Sequence, residues 1–476
     1  VSDTNAFGTL ENLYQSGKEW FLQSTLSYPL KETNFRILVG GERCLQPYSM
    51  SVFNISAMSF GSLSAAAIEA LNQGAKLGGF AHDTGEGAIS PYHKKHGGDL
   101  IWELGTGYFG CRNHDGTFSP EKFAERSRIE QVKMIEIKLS QGAKPGKGGV
   151  LPKEKITPEI AETRDVPMDA DCISPASHSA FTTPREMVQF WQQLRELSGG
   201  KPVGFKLCVG QPWQFMAIVK AMIEADNYPD FIVVDGAEGG TGAAPVEFMD
   251  NVGMPLLDGF LLVHNTLVGA GVRDKIKIGV SGKIISAFDI ARMLALGADW
   301  CNSARGFMFA VGCIQSRACH TNKCPTGVAT QDPYRQRALH IPDKAQRVYN
   351  FHKNTLKSLA AIVGAVGLKH PKDLQAYHIA RRLENGQIKL LSKFYYFTEP
   401  GVLLNLSARS DVFNQMWVMA NPDSFLANNE ALIAYNHDVR HAHDHNEKRF
   451  NEGNYPERID SFDETANSYY TYDDDP

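Results

Sequence analysis

No stretch of this 476-residue chain is apolar for long enough to cross a bilayer, and no charged-then-apolar leader opens it. The first residue is Val1 rather than Met, so a preceding segment, a membrane anchor included, stays open. Charge of one sign is not in excess: 48 Lys and Arg stand against 53 Asp and Glu, a net −5, which gives no basic footprint for nucleic acid. Cysteine is sparse and unevenly spaced, eight in all, which excludes a disulfide framework and points to a reduced, cytoplasmic setting. A GxGxxG fingerprint is missing after the first apolar run, which argues against an open dinucleotide-binding sheet.

What is present from Ser51 onward is a regular beat of β-branched or apolar runs followed by helix-like stretches. The runs are Ser51–Ser56, Gly79–Thr84, Met134–Leu139, Asp171–Ser174, Pro202–Leu207, Asp230–Gly236, Lys275–Gly282 and Asp299–Gly306. Helices are expected over Ser64–Leu77, from Thr183-Pro184 to Leu197, over Pro212–Asp226 and over Ser286–Leu296, each opened by a capping residue or proline. Eight strand–helix units predict an α/β fold, a (β/α)8 TIM barrel, with its site at the carboxyl ends of the strands. Residues 1–50 read as an irregular N-terminal arm, 51–331 as the barrel with a cysteine loop over 312–331, and 332–476 as a mostly helical or irregular extension. The segment Ile89–Arg128 reads as a long insertion. Helices are expected at Asn350–Val366 and Ala376–Leu383, and the polar tail with His441, His443 and His445 reads as a solvated segment.

Polar and glycine residues gather after the strands, as that fold requires. In the run Gly312–Gln331, Cys313, Cys319 and Cys324 are spaced C-x5-C-x4-C and Pro325 follows. Three thiols suit a cubane lacking one iron, or zinc completed by His320, or three buried structural thiols. Ser281-Gly282-Lys283 and Arg305-Gly306 end the last two strands, where barrels of this kind bind phosphate. Lys206 closes an apolar run and points toward the barrel mouth, where an ammonium needs an anion or must reach solvent. Lys144 and Arg164 could grip a dicarboxylic acid, and Glu86, flanked by glycines, could position a proton or an amine.

Several collinear motifs go further. Ser56–Gly61 (SAMSFG), Thr84–Gly87 (TGEG), Ile137–Gly146 (IKLSQGAKPG), Gly239–Gly242 (GGTG) and Cys324–Gln331 (CPTGVATQ) resemble the FMN-binding barrel of the glutamate synthases, closest to stand-alone glutamate-synthase-like proteins. The resemblance implies that Cys313, Cys319 and Cys324 hold a [3Fe–4S] cluster. FMN would bind along Ala57, Met58, Ser59, Gln141, Gly240, Ser281, Gly282, Lys283, Arg305 and Gly306, with Lys206 beside its N1–O2 edge. Gln141, Lys144 and Arg164 would hold the carboxylates of 2-oxoglutarate, with Glu86 close to the reacting carbon.

The implied activity is that of an oxidoreductase acting on CH–NH2 donors in glutamate biosynthesis. Electrons would pass through the cluster to FMN, and hydride from reduced FMN to 2-iminoglutarate, made from 2-oxoglutarate and ammonia. Neither an amidotransferase nor a dinucleotide-binding module is read here. Ammonia is therefore expected free or from an amidotransferase partner, and electrons from ferredoxin, another carrier or a reductase partner. A homo-oligomeric state stays open. Lys147 and Val150 depart from the family's usual residues in the substrate loop, and Pro175–Ala180 departs nearby, with His178 alone retained. Those departures leave room for a different oxo- or imino-acid, and the polar tail for a non-catalytic electron-relay subunit. Cys44, Cys111, Cys172, Cys208 and Cys301 are expected to be structural.

Overall fold

The structure, a computed structural model, describes residues 12–241, 244–405 and 412–436. Eight parallel strands close into a barrel. They are β1 (Phe53–Ile55), β2 (His82–Asp83), β3 (Leu100–Leu104), β4 (Val132–Lys138), β5 (Val203–Leu207), β6 (Phe231–Asp235), β7 (Lys277–Ser281) and β8 (Trp300–Ser303). β8 meets β1 in the register Cys301↔Phe53 and Asn302↔Asn54, which completes the circle.

The expected architecture stands, but one strand was misplaced. Leu100–Leu104, inside the supposed insertion, is the third strand and pairs with both β2 and β4. Cys172–Ile173 lies outside the barrel, paired only with Val150–Leu151 in a two-stranded ribbon. The reason is local: β3 (LIWEL) carries a charged residue, Glu103, that is buried inside the barrel, so its apolar run looks interrupted.

Period-two alternation of the strands explains the interior. Ala81, Ile101, Met134, Phe231, Val233 and Trp300 form an apolar cluster with Val39, Tyr48 and Met50. The last three come from an antiparallel hairpin, Arg36–Val39 with Tyr48–Ser51, so the arm expected to be irregular supplies a plug for the barrel floor. Burying a side chain such as Met50 there contributes about 2 kcal/mol. Two residues further along their strands come Asp83, Glu103, Glu136 and Asp235, so the floor is greasy and the layer above it charged.

The helices begin where their capping residues dictate. The Ser64 hydroxyl accepts from Ala67 N at 3.1 Å to open Ala65–Gly78. Thr183 and Glu186 form a capping box with Pro184 in the first turn of Pro184–Leu197. Ile341–Ala365 is longer than expected and packs along Ala65–Gly78, so the extension continues the barrel's outer layer. The helix expected at Ala376–Leu383 is instead a short turn and a strand, Ile379–Arg382, which pairs with Glu19–Phe21 of the arm. β-branched Ile379 and a partner strand override the weak helical pattern. Among the described residues no helix is long and apolar enough to cross a membrane. The tail with His441, His443 and His445 lies outside the described residues.

Candidate active site at the barrel mouth

The loops after the strands press on one another above the charged layer. Gly85 has φ +64°, and a Cβ there would lie 2.7 Å from Ser59 N, so only glycine lets the loop after β2 touch the Ala57–Ser59 backbone. A Cβ on Gly149 would fall within 1.7 Å of Glu86 Oε1, so the loop carrying Gly149 lies directly over this carboxylate.

Glu86 is held by cations. Lys138 Nζ is 3.2 Å from its Oε2 and donates to Gln141 Oε1 at 2.6 Å. Burial works to raise the Glu86 pKa, but Lys138, Arg164 and Lys144 outweigh it and keep the carboxyl below its usual range. Lys144 is itself buried, and that burial lowers its pKa. Lys138 carries no distinguishing signal in the sequence beyond ending an apolar run, as Lys206 does.

Arg164 is buried and largely committed. Its Nη2 donates to Phe60 O at 2.9 Å and Ser59 Oγ at 3.3 Å, its plane sits 5.4 Å from the Phe109 ring, and its Nε has no partner. Near the last strands, Ser281 Oγ donates to Asp235 Oδ1 at 2.8 Å and lies 3.2 Å from Ser56 Oγ. Asp235 Oδ2 accepts from Gly142 N at 2.8 Å. Among the described residues neither Lys283 nor Arg305 makes an ion pair or a side-chain hydrogen bond, and Ala304 offers no side-chain cap to helix Arg305–Val311. Gly306 is buried beside Ser303, whereas Gly240 is exposed near Met249. Lys206 points inward, paired with Glu103 and 3.2 Å from Glu136.

The cysteine loop is docked on the loop after β1. Gln331 Nε2 donates to Gly61 O and Leu63 O, both at 3.0 Å, and Ser64 N donates to Val328 O at 2.9 Å. Lys155 Nζ reaches Ser62 O at 2.8 Å, Cys319 O at 3.3 Å and Ala329 O at 3.4 Å. Gln315, Arg317 and Asn322 all take positive φ, so three non-glycine residues in this short loop are conformationally strained.

Cys324 differs from the cysteines outside this loop. Burial opposes ionisation of Cys324, yet the N–H groups of Ala329, Thr326 and Val328 and the Thr326 hydroxyl outweigh it and lower its pKa. Burial pushes Cys111 and Cys208 up to about 12. Cys319 is raised by burial and by Cys313 and Cys324, so the three sulfurs sense one another. They are not all within 4.8 Å of each other, whereas thiolates on one zinc ion, with bonds of about 2.3 Å, sit about 3.8 Å apart. His320 is exposed. That spacing does not match three thiolates on one zinc ion.

His178 is buried between Tyr108 OH at 2.9 Å and Lys138 O at 2.8 Å, so it braces β4. Two cavities of about 430 and 710 Å³ open at the opposite end of the barrel, near Asp299 and Lys201 respectively. Charge and loop contact, rather than cavity volume, mark the mouth.

This fold, with its polar mouth and docked cysteine loop, defines a (β/α)8 barrel protein. The conserved region in glutamate synthase matches residues 26–369. The glutamate synthase large subunit-like protein YerD of Bacillus subtilis is 42% identical over 353 residues, covering 74% of this chain and 67% of that protein. The archaeal glutamate synthase [NADPH] of Archaeoglobus fulgidus is 32% identical over 340 residues, 71% of this chain and 63% of its own. The glutamate synthase [NADPH] large chain of Bacillus subtilis is 31% identical over 324 residues, 67% of this chain and 20% of its own. The chain belongs to the glutamate synthase family. It spans about two thirds of the length of the first of these relatives and a fifth of the last. Among solved structures, a flavocytochrome b2 mutant with pyruvate bound matches at TM-score 0.47 and 13% identity, covering 84% of this chain and 87% of that one.

Proposed function

We propose that this chain is the FMN- and cluster-binding core of a glutamate-synthase-type oxidoreductase that reduces 2-iminoglutarate, formed from 2-oxoglutarate and ammonia. The observation that carries the reading is adjacency: the cysteine loop is hydrogen-bonded onto the same loop that contains Ala57, Met58 and Ser59. When bound, FMN supplies a ring that gives up hydride, and a [3Fe–4S] cluster supplies single electrons.

The residues fit those groups. Cys313, Cys319 and Cys324 are the thiolate set. Lys283, Arg305 and the uncapped helix start at Arg305 are the donors for a phosphate, while the Ser281 hydroxyl, its proton given to Asp235, only borders them. Lys206 offers the positive charge for the ring edge. Gln141 and Lys144 bind carboxylates of the substrate, and the free Nε of Arg164 adds one donor while its Nη2 holds the loop. Glu86, kept ionised, accepts N–H bonds from incoming ammonia and orients the nitrogen toward the 2-oxo carbon. The loop carrying Gly149 excludes water above it.

Electrons would come from ferredoxin or another external carrier, and ammonia free or from an amidotransferase partner. A second reading, reduction of another oxo- or imino-acid, is favoured by one feature: Val150 pairs with Ile173 in a ribbon immediately beside Gly149 and Glu86. The test is anaerobic oxidation of a reduced carrier by purified protein with FMN and iron quantified. Oxidation that requires both 2-oxoglutarate and ammonium supports the first reading. Turnover with a different oxo acid alone supports the second, and no oxidation with any acid refutes both in favour of an electron relay.

A further inference from the structure

Between the apolar floor and the mouth lies a closed group of charges. Asp83, Glu103 and Glu136 each place a carboxylate oxygen within 4.8 Å of the others, and all three are buried. Among the described residues Lys206 is the single cation in contact with them, paired with Glu103 and 3.2 Å from Glu136 Oε1. Asp235, the other acid facing Lys206, is already satisfied by Gly142 N and Ser281 Oγ. Three ionised carboxyls against one ammonium would leave two uncompensated charges in a sealed interior, each costing several kcal/mol.

Hydrogen bonding identifies which acid relieves this. Asp83 accepts from Gly85 N at 2.9 Å, and Glu103 is the counter-ion of Lys206. Glu136 has only a share of Lys206: it is 0% exposed, its Oε1 lies 3.2 Å from an ammonium already paired with Glu103, and both its oxygens lack a hydrogen-bond partner. Two carboxyls this close can bond only if one carries a proton.

We propose that Glu136 and Asp83 share a proton inside the barrel while Glu103 stays ionised as the fixed partner of Lys206, which makes these acids positioning residues that set the charge presented to the mouth. Burial, the largest influence, raises both Glu136 and Asp83, the latter to about 7 with Glu103 adding to it. Lys206 stays protonated, because Glu103, Glu136, Asp83 and Asp235 outweigh its burial. The consequence for a flavin rests on the function proposed above; the shared proton does not.

Infrared spectroscopy of the whole chain tests the proton directly, with or without bound FMN. A deuterium-sensitive carboxylic-acid C=O band present in the wild type and lost in Glu136→Gln is expected. Absence of that band in the wild type, or its survival in Glu136→Gln, overturns the proposal. In FMN-loaded protein, Glu136→Gln mimics the protonated acid and should shift the oxidised-to-reduced equilibrium less than threefold at neutral pH. Glu103→Gln removes a full negative charge and should favour reduction at least tenfold, about 30 mV for a two-electron couple. Equal shifts in the two variants would also overturn it. Lys206→Met is the control: if it leaves the potential unchanged, the flavin reading of the mouth fails while the infrared result still decides the proton.

Discussion

Lys155 Nζ lies 3.3 Å from the carbonyl oxygen of Cys319, and the same ammonium also donates to Ser62 O at 2.8 Å. One side chain thus ties its own segment after Leu151, the loop after β1 and the cysteine loop together. Lys155→Met should leave three carbonyls without this donor, the buried Ala329 O at about 1 kcal/mol or more and the partly buried Ser62 O and Cys319 O at less, and release the loop. The expected outcome is a lower unfolding midpoint, with iron lost on buffer exchange faster than from wild type. Unchanged iron retention would show that the loop holds without it.

Cys319→Ser and Cys324→Ser should each remove a thiolate and abolish stoichiometric iron, whereas Cys111→Ser should leave it intact. Iron and sulfide analysis of the purified variants reads this. Equal iron in all three would contradict the ligand set.

Lys138 is the leading cation at Glu86. In Lys138→Met burial is opposed by Arg164 and Lys144 alone, so the Glu86 pKa rises. The acidic limb of the pH–rate profile should therefore move to higher pH. A limb that does not move would place another group in charge of that ionisation.

His82 is fully buried with neither ring nitrogen bonded, and burial lowers its pKa to about 3. The unfolded chain takes up a proton on this ring below about pH 6.5, and the folded chain does not until near pH 3. Stability is thus lost as pH falls through that window, by up to about 1.4 kcal/mol per pH unit from this residue. His82→Leu should remove that contribution. Denaturant unfolding at pH 8 and pH 5 should show the variant gaining on wild type at the lower pH, and a pH-independent difference would exclude the buried neutral ring.

Much of the barrel is legible in the chain. The caps at Ser64, Thr183 and Ser286 start helices within a residue of where local chemistry sets them, because a side-chain oxygen and an N–H two or three residues on need nothing else. β3 is not legible in the same way. Glu103 breaks its apolar run, and only closure of the barrel provides Lys206 as a partner that makes a buried glutamate tolerable. Lys138 escaped for a related reason: its value lies in Glu86, from which it is distant in sequence and 3.2 Å away in space.

By itself the order of residues determined the alternation of strands and helices, the glycine-bearing loops and the three-cysteine spacing, since each depends on backbone preference and neighbours a few positions away. Tertiary closure alone decided that the cysteine loop lies on the loop after β1, that Arg164 is largely spent on Phe60 and Ser59, and that three acids share one lysine. Those are pairings across the circle of strands, and their energies exist only once water has been excluded between them.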